Sequence, residues 1–316
     1  MLIDGLRPLW LPSIAAITGP TTGRISEWVH SGQYYFDSPV GPDTASFVCT
    51  PGQTLTEIFA AEMSRFSSAA IETSVGITRP SRPKSTAWLF IQNYYAAFYS
   101  AHCILRSAGI SASNFGNGEC QKVDQISTIL GFSNKSLNAG QFRCEYLAAS
   151  DRLECTSAKG RGIHEQFWRI FDTFIEKAGD QALHNPALPT SDAQDIFSRL
   201  NDLRSILSSN GQAGGQWLST IRNEITYKHQ HEAWFPYGRT RANCDRLFML
   251  QKDWLKEPDD IVFNSLGTAE VENFVLACAF LVSLSIAVVK DMSIRCPLGR
   301  SFLLYGPLEL LSQASA

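Results

Sequence analysis

A chain of 316 residues that is 44% hydrophobic and 11% aromatic can bury a sizeable core, which excludes general disorder. Its 27 basic and 30 acidic residues leave a formal charge of −3. It is therefore no general coat for polyanions, and any contact with nucleic acid must rest on a few placed cations.

The first eighteen residues hold Leu9 to Leu11 and Ile14 to Ile17, but also Asp4, Pro8 and Pro12, with no basic stretch ahead of them. That pattern does not predict a signal peptide. Pro and Gly recur up to Pro83, so residues 1–84 read as an irregular accessory region. Short strands are expected near 33–36 and 45–48, and one helix over 55–71, opened by Thr54 or Thr56. From Ser85 the period turns helical. Residues 85–108 are apolar almost all round and predict a central buried helix that stops at Gly109. A looser stretch rich in Gly, Ser and Asn is expected over 111–162. Helices follow over 163–183, from Thr190 or Ser191 through Leu207, and over 216–231, 243–255 and 268–294. Within the last, Phe274 to Val289 is sixteen residues without a charge. A spanning helix wants about twenty, so this one is expected inside a bundle and not in a membrane. The eight cysteines form no Cys-x-x-Cys pair and no zinc-finger spacing, and are expected as buried thiols in a reducing cytoplasm. The architecture expected is mainly α: a helical bundle over 85–295, with the N-terminal region packed on it and a C-terminal tail from 296 to 316.

Several enzyme classes drop out by motif. The chain has no phosphate-binding P-loop, no Gly-x-Gly-x-x-Gly turn, no Gly-x-Ser-x-Gly elbow, and no second histidine to complete a zinc site after His164-Glu165. No acidic cluster has metal-ligand spacing, so neither a metal nor another cofactor is expected. One segment stands out, Trp217 to His231. On a continuous helix Arg222 and His229 differ by roughly 20° in azimuth and roughly 10 Å in rise, while His231 falls on the opposite face. The apolar stripe of Trp217, Leu218, Ile221 and Ile225 lies to one side, which puts Arg222 and His229 at the edge of the buried face.

Arg222-Asn223 followed by His229 resembles the R-x(4–6)-H motif of HEPN domains. The upstream helix with Tyr94, Tyr95, Ala96, Ala97, Phe98 and Tyr99 is similar to an early helix of many such domains. The resemblance covers roughly 85–295 and implies a HEPN-like bundle with metal-independent ribonuclease activity. It implies that the ribose 2′-OH attacks its own phosphate, leaving a 2′,3′-cyclic phosphate and a 5′-OH. His229 would move protons, Arg222 would hold the phosphate and its developing charge, and Asn223 would orient either. One such histidine per chain cannot readily serve as both acid and base, and HEPN domains resolve this as homodimers with two facing motifs. The setting implied is a cytoplasmic toxin or antiphage-defence effector acting on RNA, restrained or triggered by a protein partner such as an antitoxin or sensor.

Around the motif, Lys228, Tyr227, Arg239 and Arg241 are candidate RNA contacts. Trp234 and Phe235 are candidates for base stacking, although core packing is the simpler expectation. Asn93 is expected as a satisfied buried amide, and His102 as a core histidine. Two rival readings are a non-catalytic HEPN-like module that binds a partner protein or nucleotide, and a membrane-associated effector using residues 274–289.

Overall fold

The computed structural model describes residues 1–50, 52–78, 85–132, 135–235, 244–263 and 270–314. Among these the chain is mainly helical, 63% in twelve α-helices, with a five-stranded antiparallel sheet between residues 34 and 157. The centre is α5, Ala87–Ser107, in which sixteen of 21 residues are buried. Apolar side chains on every face demand cover on every face. The cover comes from α4 (Gly52–Gly76), α7 (Ile163–Leu183), α9 (Trp217–Lys228) and α11 (Glu270–Ile294). Gly109 then takes φ +69°, a left-handed turn that suits glycine, with Leu11 and the Tyr146 carbonyl close to where a Cβ would sit. α11 is long and apolar enough to cross a membrane by length and composition. Eighteen of its 25 residues are buried within the fold, as the bundle reading expects.

Between α4 and α5 lies a buried ionic network. Arg106 donates to Glu62 through Nε at 3.0 Å and contacts the same carboxylate through Nη2 at 2.9 Å. The other carboxylate oxygen accepts the Ile25 N–H at 3.1 Å. Arg106 Nη1 donates to His102 Nδ1 at 2.9 Å. The His102 ring stacks between Phe66 and Phe167, 4.4 and 3.9 Å from their centroids. Burial, then the adjacent Arg106 charge, pushes its pKa well down, so it is a neutral core histidine as expected.

The stretch 111–162 is not loose. It contributes to β3 (Ile110–Phe115), α6 (Asn117–Ile129), β4 (Gly140–Leu147) and β5 (Arg152–Ser157). With β1 (Tyr34–Tyr35) and β2 (Thr44–Cys49) the strand order is β1-β2-β5-β4-β3. The inward positions explain why periodicity underrates this sheet. Phe142, Cys144 and Tyr146 alternate inward on β4, and Leu153 and Cys155 on β5. On β3 the buried set includes Ser111 and Ser113, whose hydroxyls satisfy each other at 3.0 Å. Serine and cysteine carry too little hydrophobic signal to mark a strand. All eight cysteines are buried free thiols.

The two ends of the chain belong to the same packing. β2 pairs with β5 in register from Thr44↔Thr156 to Val48↔Arg152. α1 (Leu2–Leu6) lies against α7, α8 (Thr190–Leu207) and α11. The expected C-terminal tail forms α12, Pro307–Ala314, against α4. Glu62→Ala would leave Arg106 charged and uncompensated in the core, at a cost of about 3–5 kcal/mol. Urea unfolding measures it, and a loss below about 1 kcal/mol would show that this network does not hold α4 to α5.

Candidate active site

α9 turns its stripe of Trp217, Leu218, Ile221 and Ile225 into the core. Arg222 follows at the edge of that stripe, and the turn of the helix carries its side chain inward, leaving it only 6% exposed. Its Cζ lies 5.1 Å from the Tyr94 ring centroid and 5.6 Å from that of Tyr95. Nη1 donates to Asn223 Oδ1 at 2.7 Å, which fixes the plane of the guanidinium. Nε is buried without a hydrogen-bond partner. Among the described residues no carboxylate pairs with Arg222. Cation–π contact returns about 0.5–2 kcal/mol, well short of the several kcal/mol that desolvating a charge costs.

The other face of the same two tyrosine rings holds a histidine that the motif does not contain. His164, in the first turn of α7, lies 5.5 Å from the Tyr94 centroid and 6.2 Å from that of Tyr95. The Tyr94 hydroxyl accepts the Trp168 Nε1–H at 3.1 Å and is 2.8 Å from His164 Nδ1. A hydroxyl has one proton, so Tyr94 donates it to Nδ1 and the imidazole carries its own proton on Nε2. Burial, then the positive charge of Arg222, lowers the His164 pKa to about 4, so the ring is neutral near pH 7. The sequence offered this residue only as an incomplete zinc motif. Its partners lie on α5 and α9, beyond the reach of any single-helix pattern.

His229 does not stand where helical geometry places it. α9 ends at Lys228, and His229 takes φ 53° in the left-handed region. The Glu224 carbonyl accepts the N–H groups of His229 and Gln230, and the Ile225 carbonyl accepts the Trp234 indole at 2.8 Å. These bonds satisfy carbonyls that a helix end would leave open. The 20° relation to Arg222 is lost with the helix. The exposed His229 ring instead lies 5.7 Å from that of Trp234, tilted by 34°. His231 and Glu232 also hold positive φ, 62° and 48°. Three non-glycine residues in this region within four positions is a concentration of strain that structures tolerate chiefly at working sites.

The remaining candidates divide. Asn223 sits with Arg222. Lys228 is exposed, 3.7 Å from Glu224, and Tyr227 is 73% exposed. His231 is drawn to Glu224 at 2.9 Å. Asn93 is buried and donates to the Leu89 carbonyl at 2.8 Å, the satisfied amide expected. Trp234 packs half-buried on the core, edge-on to exposed Trp88 at 6.0 Å, while Phe235 is exposed. Arg239 and Arg241 lie outside the described residues. Among the described residues no group of three or more His, Cys, Asp or Glu side chains is placed to hold a metal ion.

No family model matches the chain, and neither a curated protein nor a solved structure does.

An uncompensated buried cation is a stability burden. Arg222→Met is therefore expected to keep stability within about 1 kcal/mol of the native chain, or to raise it. Thermal and urea unfolding measure this, and a loss above about 3 kcal/mol would make Arg222 a structural residue.

Proposed function

We propose that the protein is a metal-independent endoribonuclease of HEPN type that works as a homodimer, in the role of a cytoplasmic toxin or antiphage-defence effector. The observation that carries the reading is Arg222: nine-tenths buried, oriented by Asn223, and without an anionic partner among the described residues. A phosphodiester supplies the missing charge. The guanidinium fork suits two phosphoryl oxygens and stabilises the extra charge of the five-coordinate transition state.

His229 is the proton carrier in this reading. Its ring is exposed, beside Trp234, on a backbone held by strained turns. It takes the proton of the 2′-OH as that oxygen bonds to phosphorus. The bond from phosphorus to the 5′-oxygen then breaks, and an imidazolium returns a proton to the leaving oxygen. Within one chain, Arg222 and His229 make no direct contact. A two-fold interface brings a second His229 to the phosphate, so one imidazole serves as base and the other as acid. Tyr227 and Phe235 present exposed rings on which bases stack, and Lys228, with Arg239 and Arg241, suits the phosphate backbone. A sensor or antitoxin protein would keep such an activity in check.

Two experiments test this. In single-turnover cleavage of RNA, His229→Ala is expected to abolish activity and Arg222→Ala to lower it at least ~100-fold. His231→Ala should leave the rate little changed. Native rates in His229→Ala would contradict the assignment. In mixing experiments, excess His229→Ala chain should suppress the native chain by forming crippled heterodimers. A sedimenting monomer that retains full activity would remove the dimer from the mechanism.

A further inference from the structure

Arg222 and His164 come from different helices, α9 and α7, yet they flank the same pair of rings. Each keeps unused hydrogen-bonding capacity. Arg222 binds Asn223 through Nη1, leaving Nη2 unbonded and Nε buried without a partner. His164 uses Nδ1 on Tyr94, which leaves an Nε2–H that bonds to nothing in the chain. Tyr95 is half-buried between them, and its hydroxyl makes no hydrogen bond. His164 also sits in the first turn of a 21-residue helix whose N-cap, Gly162, supplies no side-chain bond. The positive end of that helix faces outward there, and Glu165, the acidic residue of the turn, is engaged by Arg169 at 3.0 Å. Every unused group here is a donor or a positive charge.

We propose that Arg222, His164 and Tyr95 form a phosphate pocket within a single chain. In it Arg222 supplies the charge, and the His164 Nε2–H and the Tyr95 hydroxyl donate to phosphoryl oxygens. The proposal rests on the phosphodiester reading of Arg222 and adds a group outside the motif. The chain from Trp168 through Tyr94 to His164 fixes the tautomer, as outer-shell bonds do for histidines that must present one chosen nitrogen. His164 is thus a positioning donor toward the phosphate, separate from the proton transfer assigned to His229.

Proton linkage follows from the neighbours. The groups facing His164 are Arg222 from α9; Tyr94, Tyr95, Phe98 and, further in, His102 from α5; and Trp168 and Glu165 from its own helix. In the empty pocket, burial and Arg222 keep it neutral down to about pH 4. A bound dianion cancels the Arg222 charge and favours imidazolium, so anion binding takes up a proton as the pH falls.

The test is a titration of the full chain, with histidine rings isotope-labelled, using sulfate as a dianion that does not itself titrate near neutrality and inorganic phosphate beside it. Saturating sulfate should raise the His164 pKa by at least about one unit, and affinity should climb by up to about tenfold per pH unit below neutrality. His164→Gln and Tyr94→Phe should weaken binding and flatten its pH dependence, whereas His229→Ala should keep both. A His164 resonance unmoved by sulfate overturns the pocket, and the titration of the native chain decides this even if a variant fails to fold. An unmoved resonance together with RNA cleavage that survives in His164→Gln would leave the ribonuclease standing and remove only the pocket. A sulfate-linked shift in a chain that cuts no RNA would keep the pocket and remove the ribonuclease.

Discussion

A guanidinium taken out of water must find a counter-charge, and two arginines packed against the central helix meet that demand in opposite ways. Arg106 is buried against Glu62, whose other oxygen is satisfied by the Ile25 N–H, with His102 held neutral on its far side. Arg222 is buried nearly as deeply and has two tyrosine rings, an asparagine oxygen and an unpartnered Nε. The first arrangement closes on itself and ties α4 to α5. The second stays open. A fold that builds one complete ionic network and leaves its second buried arginine uncompensated is arranged for a negative charge from outside.

The surroundings of Arg222 follow from α5. Because that helix is buried on every side, its aromatic residues serve several partners at once. Tyr94 stacks on Phe98, takes the Trp168 indole N–H, gives its own proton to His164 and lies under Arg222. Burial holds the phenol above its usual pKa, which keeps the proton on its oxygen and the His164 tautomer fixed. Catalytic-type chemistry is thus divided between rigid and strained parts. The helical core orients Arg222, Tyr94 and His164, while His229 rides on the left-handed turn that ends α9.

Much of the helical frame was legible in the sequence because periodicity survives wherever one face is apolar. The helices over 163–183 and 190–207 stand where their stripes of Phe, Ile and Leu put them. The sheet was not legible, since its inward positions are shared among Ser111, Ser113, Cys144 and Cys155 with only a few large residues between. At the site, Arg222 was readable as an edge residue of an amphipathic helix. The direction of His229 was not, because a wheel assumes a helix that continues, and capping by Trp234 and the left-handed turn ends it one residue early. His164 could not be found from sequence at all. Its relation to Arg222 exists only once α7 and α9 pack against opposite sides of the same tyrosines.

The chemistry assigned to Arg222 and His229 leaves a signature that no metal-dependent nuclease shares, because the nucleophile is the substrate's own 2′-hydroxyl. The most direct measurement is the end-group analysis of RNA incubated with the purified chain in excess EDTA. The account predicts fragments that carry 2′,3′-cyclic phosphates and 5′-hydroxyls, formed equally well with and without the chelator. Fragments with 5′-phosphates and 3′-hydroxyls, or cleavage lost on adding EDTA, would contradict it.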